Sequence, residues 1–200
     1  MKLVLATQNA HKIDEIRQIL AEAGSTGVEL LDMSAWPELG ELPEDHDRLE
    51  DNALQKARAV FLATGLPAVA DDSGIEVAAL AWGPGARSKR FTLEGTAEAN
   101  NARLLRELDG ATDRRARFRC VLALVATSGE RTASGQVDGT IGHLPRGQGG
   151  FGYDPLFWPD EVKDRSMAEL SPAEKNAISH RGRAFRQLPG LLRDLGLRSG

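Results

Sequence analysis

The segment Asp71-Asp72-Ser73-Gly74 puts two carboxylates where a short apolar run, Pro67–Ala70, ends. Strand ends of this kind carry the functional groups of many α/β proteins. Successive strand residues face opposite ways, so one of the two acids is enough to face a cleft. Such an acid can hold Mg²⁺, which takes carboxylate oxygens together with the phosphate oxygens of a ligand. Asp, Ser and Gly are also turn formers, and a hairpin turn is the structural alternative.

Four other segments carry comparable chemistry. Thr7-Gln8-Asn9-Ala10-His11-Lys12 follows an apolar stretch and opens a helical pattern. Free N–H groups and the positive dipole end of a helix suit a phosphate there. With Asn9 as the N-cap, Lys12 falls in a first turn that disfavours a cation unless an anion is bound. The alternative is an ordinary cap and a solvated lysine. The acids of the loop at 38–47 precede a helix that carries Lys56. Glu44 can complete a cation site with Asp72, or the loop is simply a solvated acidic segment.

Gly147–Pro155 formally contains G-x-G-x-x-G. A dinucleotide site needs a strand before it and a helix after it, and neither is expected here. Phe151 and Tyr153, spaced by Gly152, suit stacking on a flat ring; a glycine turn with Phe151 in the core is the alternative. In the last helical segment, Lys175, Asn176, Ser179, His180, Arg181 and Arg183 avoid an apolar stripe of Ala177, Ile178, Ala184 and Phe185. They form either a ligand-binding face dense in donors or a solvated one. The four histidines lack zinc-ligand spacing. No P-loop and no nucleophile elbow is present.

The elements that must position these groups alternate in type. Strands are expected at Lys2–Ala6, Val28–Met33, Pro67–Ala70 and Ile75–Leu80, the last as a separate strand or hairpin partner. Helices are expected after Asn9, with Ile13, Ile16, Ile19, Leu20 and Ala23 as its stripe and Gly24 at its end, and over 48–64 and Ala97–Leu108. Arg115, Arg117 and Arg119 alternate with Ala116, Phe118 and Cys120, as on a solvent-facing edge strand running on through Val125. Arg131–Val137 returns beside it, and 142–160 reads as an ordered loop. Ser171-Pro172-Ala173-Glu174 is a capped helix start with proline at the first helical position; that helix should run to about Gln187. The pattern predicts an α/β fold around a mixed sheet.

The chain of 200 residues is 41% hydrophobic and 27% charged, with a formal net charge of −4. It can bury a core, is not built like a disordered chain, and lacks the basic excess of a general nucleic-acid binder. Its one cysteine, Cys120, excludes an internal disulfide and reads as core filler. Met1–Ala6 is too short for a signal h-region and no run is long enough to span a membrane, so a soluble cytoplasmic protein is expected.

Taken together, four motifs in order resemble the inosine triphosphate pyrophosphatase family over nearly the whole chain. Thr7–Lys12 fits [ST]-x-N-x-x-K. Asp71–Gly74 fits D-D-S-G. Phe151-Gly152-Tyr153-Asp154-Pro155 fits F-G-[YW]-D-P, and Glu174–Arg181 fits E-K-x-x-x-S-H-R. The resemblance implies one domain over residues 1–200, with an elongated mixed β-sheet flanked by helices and two lobes around a cleft. It implies hydrolysis of ITP, dITP or XTP to the monophosphate and pyrophosphate, with Mg²⁺, in a homodimer. It implies that Thr7, Gln8, Asn9, Ala10, His11 and Lys12 bind phosphates. Asp72 is then the catalytic proton acceptor and a metal ligand, Lys12 a second catalytic group that stabilises charge in the transition state, and Ser73 a substrate contact. Phe151, Gly152, Tyr153 and Asp154 hold base and sugar, and Lys175, His180 and Arg181 read the purine. Glu44 and Lys56 fit a metal ligand and a charge-stabilising lysine, although His46-Asp47 stand where a glycine often follows. Lys89 or Arg90 stands for a further basic residue. The alternatives are a related pyrophosphatase for pyrimidine or modified nucleotides and a non-enzymatic nucleotide sensor.

Overall fold

The computed structural model describes residues 1–22 and 27–197. Strands are β1 (Lys2–Leu5), β2 (Glu29–Asp32), β3 (Ala68–Val77), β4 (Gly83–Pro84), β5 (Arg115–Ala126), β6 (Gly129–Ile141) and β7 (Phe157–Pro159). Helices are α1 (Ala10–Glu22), α2 (Leu49–Thr64), α3 (Ala97–Glu107), α4 (Pro172–Ile178), α5 (His180–Phe185) and α6 (Leu188–Asp194). The expected end of α1 at Ala23 and Gly24 lies outside the described residues.

One mixed sheet carries the order β2-β1-β3-β5-β6-β7, with β4 against β3. β1 is parallel to β2 and β3, and from β3 onward every pairing is antiparallel. Three long strands, β3, β5 and β6, run the length of the molecule. At one end Val69, Cys120, Leu122 and Leu124 pack under α1, α5 and α6, while Ala68, Ala70, Val121 and Ala123 pack under α2 on the opposite face. At the other end Ile75, Val77, Phe118 and Val137 share a core with Leu104 of α3, Tyr153 and Phe157. These are the two expected lobes, and the same strands thread both.

Several expectations are corrected. Asp71–Gly74 is not a turn. It lies inside the ten-residue β3, paired in register with Leu122, Val121, Cys120 and Arg119. The acids tolerate this because each meets cations or an amide donor, described below. Gly74 is needed there: a Cβ would sit 2.0 Å from the Gly85 carbonyl oxygen. β5 is not an edge, since it lies between β3 and β6. Its Arg117 and Arg119 pair with Glu76, and Arg119 also with Glu50. The loop at 142–160 contains β7.

The last helix is broken. Ser171 caps α4 with the expected capping box, but Ser179 is extended (φ −64, ψ 154) and starts α5, its Oγ accepting from the Gly182 N–H at 3.0 Å. A serine that bonds backbone locally competes with helix continuation. Pro189 then falls in the first turn of α6 rather than after the helix. Ala177 is exposed, not part of a buried stripe, whereas Lys175 and Asn176 are buried.

Candidate active site

β3 splits its two acids between the faces of the sheet. Asp71 points to the α1 and α5 side, where its Oδ2 lies 3.0 Å from Lys12 Nζ and 3.4 Å from an Arg181 amino group. Burial alone would raise this carboxyl, but Lys12, Arg181 and Lys56 outweigh it and hold it well below the ordinary aspartate range. Asp72 points to the α2 side. Its Oδ1 lies 3.3 Å from Lys56 Nζ and its Oδ2 accepts from Asn52 at 3.0 Å. Burial, seconded by the Glu44 charge, keeps Asp72 above the ordinary range despite Lys56 and Lys12.

α2 forms over 49–64 because Leu49, Ala53, Ala57 and Val60 recur on one buried face. Asn52 and Lys56 lie one turn apart on it. Lys56 reaches Glu44 Oε1 at 2.7 Å as well as Asp72. One carboxylate oxygen from the acidic loop and one from β3 therefore converge on a single cationic point. Among the described residues no cluster of three or more His, Cys, Asp or Glu holds a metal with protein donors alone. Two converging carboxylates completed by ligand phosphate oxygens are the donor set that suits Mg²⁺, so Glu44 and Asp72 fit the expected metal ligands. Lys89 lies at the same cavity and faces Glu41, while Arg90 instead donates to the Glu44 backbone carbonyl at 2.6 Å. Of Lys89 and Arg90, it is Lys89 that lines both cavities together with Lys12.

Asn9 caps α1, its Oδ1 accepting from the Lys12 N–H at 3.3 Å. Thr7 Oγ1 accepts from the Asn9 N–H, and Gln8 donates to the Gly40 carbonyl at 2.7 Å. Thr7, Gln8, Asn9, Lys12, Glu44 and Lys56 line a cavity of ≈ 320 Å³. Ala10 and His11 do not line it. His11 stacks on Phe151 instead, with ring centroids 5.4 Å apart and planes 15° from parallel.

From the far lobe, Asp154 closes the aromatic loop by accepting the Phe151 N–H at 2.8 Å, and Tyr153 donates to the Ser88 carbonyl at 2.7 Å. Lys175 bridges Asp154 and Glu15, each at 2.6 Å. Glu15 also holds Arg181 at 2.6 Å, and Arg181 donates to Ser73 Oγ at 3.0 Å. Burial opposes ionisation of Glu15, but Arg181 and Lys175 override it and lower its carboxyl. The ammonium of Lys175 and the guanidinium of Arg181 lie 4.9 and 5.5 Å from the Phe151 centroid. His180 stacks on Phe118 at 4.8 Å. Burial, then the charges of Arg181 and Lys175, press its imidazole well below 6.5, so it is neutral. α5 comes this close to the sheet because residue 135 is glycine; a Cβ there would meet the His180 carbonyl oxygen at 2.1 Å.

The two ends meet. A second cavity, ≈ 290 Å³, is lined at once by Lys12, Asp72, Phe151, Lys175, His180 and Arg181. It shares Asn9, Lys12, Glu44 and Lys89 with the first, so a lysine-rich pocket runs into an aromatic one. The sequence profile of the Ham1 family matches residues 3–190. The chain belongs to the Ham1 family.

Relatives within the Ham1 family support the assignment over nearly full length. The dITP/XTP pyrophosphatase of Mycobacterium tuberculosis (strain H37Rv) is 50% identical over 97% of this chain and 96% of its own length. That of Mycolicibacterium paratuberculosis is 47% identical over 99% and 98%. The HAM1 protein of Coxiella burnetii superimposes with a TM-score of 0.86 at 37% identity, covering 97% of this chain and 99% of that one. The nucleoside-triphosphatase (dITP/XTP pyrophosphatase) of Mycobacterium abscessus gives 0.76 at 45% identity, covering 94% and 97%. The family expectation drawn from the four motifs is therefore borne out, as is the mixed sheet flanked by helices. Within this Ham1 site, sequence reasoning named Asp71 as one of the paired acids without giving it a role of its own, and passed over Glu15 and Asn52. Glu15 had a signal, since it lies three residues after Lys12 on α1; Asn52 lies four residues before Lys56 on α2.

Proposed function

We propose that this chain hydrolyses deaminated purine nucleoside triphosphates (ITP, dITP and XTP) to the monophosphate and pyrophosphate. The carrying observation is the continuous pocket that joins Lys12, Lys56, Glu44 and Asp72 to Phe151, Lys175, His180 and Arg181. The Mycobacterium and Mycolicibacterium relatives are named dITP/XTP pyrophosphatases, which supports the dITP and XTP part of this reading.

The triphosphate lies against the N-terminus of α1, where Lys12, Lys56 and Lys89 supply positive charge. The base lies on Phe151. Glu44 and Asp72 hold Mg²⁺, which when bound offsets charge on the phosphate oxygens. Water attacks the α-phosphorus, Asp72 accepts its proton, and the bond from the α-phosphorus to the bridging oxygen breaks, so pyrophosphate leaves with the electron pair. Asp72 lines the cavity that also holds Lys12, which puts it within reach of that water. Lys12 and Lys56 stabilise the charge that develops on the leaving group. His180 and Arg181 donate to the 6-carbonyl of hypoxanthine or xanthine. Adenine offers a donor there instead and leaves them unpaired, at about 1–3 kcal/mol per lost contact.

The same reading takes residues 1–200 as one domain, because β3, β5 and β6 belong to both lobes, and places the enzyme as a homodimer in the cytoplasm. No helix among the described residues is long and apolar enough to cross a membrane. Sedimentation tests the dimer. Product analysis with ITP and Mg²⁺ tests the reaction: IMP with pyrophosphate supports it, IDP with orthophosphate refutes it, and a panel of ITP, XTP, dTTP and UTP tests the base.

A further inference from the structure

We propose that Asn52 is the positioning residue that keeps Asp72 and the Glu44 loop in register when a divalent cation takes the place of the Lys56 ammonium between them. The inference rests on the proposed function and deepens it. Asn52 is fully buried. Its Nδ2 donates to Asp72 Oδ2 at 3.0 Å and to the His46 carbonyl at 3.1 Å, and its Oδ1 accepts from the His46 N–H at 2.9 Å.

One turn further along α2, Lys56 makes the parallel pair of contacts, to Glu44 Oε1 and Asp72 Oδ1. The helix face therefore links loop to strand twice, once through a neutral amide and once through an ammonium. The two links differ in permanence. A cation held by Glu44 and Asp72 competes for the same carboxylates as Lys56, and an incoming phosphate attracts that ammonium. Nothing competes for the amide. Both amide hydrogens and its oxygen are already used, and no other side chain of that size offers two donors and one acceptor from one plane. When Lys56 turns to the ligand, Asn52 is what still fixes Asp72 Oδ2 and the loop two residues beyond Glu44. Groups that orient metal ligands in this way matter about as much as the ligands, with losses of about 10- to 100-fold on removal.

The test compares Asn52→Ala with Gln55→Ala. Gln55 anchors the same loop through Asp45 but does not touch Asp72. Mn²⁺ binding is measured by calorimetry on protein saturated with IMP, whose phosphate completes the donor set, alongside kcat and KM for ITP and thermal melting. For Asn52→Ala the expectation is Mn²⁺ affinity weakened by about tenfold and kcat lowered by about 10- to 100-fold with KM within about threefold. Gln55→Ala should match wild type in both. If Asn52→Ala melts too low to assay, Asn52→Leu is read by the same criteria, since it keeps nearly the same volume but removes the donors and the acceptor without adding charge. Wild-type Mn²⁺ affinity and kcat in a folded Asn52 variant overturn the inference. Equal losses in Gln55→Ala overturn it too, because loop anchoring alone would then suffice. A wild-type protein that does not turn over ITP sinks the proposed function instead, so the two failures are distinct.

Discussion

Asp71 and Asp72 are neighbours in one strand, yet their carboxyls serve opposite helix layers and are driven in opposite directions. Asp71 is held ionised by Lys12 and Arg181, while burial lifts Asp72 above the usual range. Asp71 is fixed as an anion among cations, and Asp72 is the more readily protonated of the two.

Asp72→Asn should lower kcat by about 10²–10⁴, the usual contribution of a positioned general base. Burial already disfavours the charged form of Asp72, and Glu44 still pairs with Lys56, so the neutral amide should leave the melting temperature within a few degrees. Steady-state kinetics beside calorimetry check both halves. Near-normal turnover would remove Asp72 from its role.

Phe151→Ala should raise KM for ITP by about 3- to 10-fold, the worth of one aromatic stacking contact. The metal and phosphate end should be untouched, so kcat changes little. An unchanged KM together with unchanged melting would contradict the stacking assignment.

His180 supplies a pH prediction. Its folded-state pKa lies well below 6.5, and its unfolded value is near 6.5. The unfolded chain therefore binds the extra proton, and this stability is complete above 6.5 and lost as pH falls below it. The loss approaches about 1.4 kcal/mol per pH unit until the folded-state pKa is reached. Melting temperatures of wild type and His180→Asn should converge as the pH drops from 7 to 5. Parallel curves would mean the imidazole is not buried in its neutral form.

Chelation with EDTA should stop turnover and leave the melting temperature of the nucleotide-free protein unchanged. Lys56 already balances Glu44 and Asp72 without a metal. A large drop in melting would instead assign the cation a structural role.

Much of this was legible in the sequence. The α1 cap, the buried face of α2 and the capping box at Ser171 depend on local spacing, and they appear where expected. Asp71–Gly74 misled because its composition is that of a turn, whereas Lys12, Lys56, Asn52 and Arg181, which make a strand tolerable there, come from distant segments. The last helix misled in the converse way. Several of its polar residues are buried alongside Ala184 and Phe185, because α4 turns Lys175 toward Glu15 and Asp154, and Ser179 resets the chain so that His180 and Arg181 begin a new helix. The arginines of β5 suggested an edge because Glu76 and Glu50, which neutralise them, lie on other elements.

The strands shared by both lobes bear on how a ligand gets in. Jaws joined by a flexible linker can swing apart, but these are joined by the hydrogen-bonded ladders of β3, β5 and β6, which twist only stiffly. Any change in the width of the slot must therefore bend or twist these shared strands rather than turn about a hinge between them.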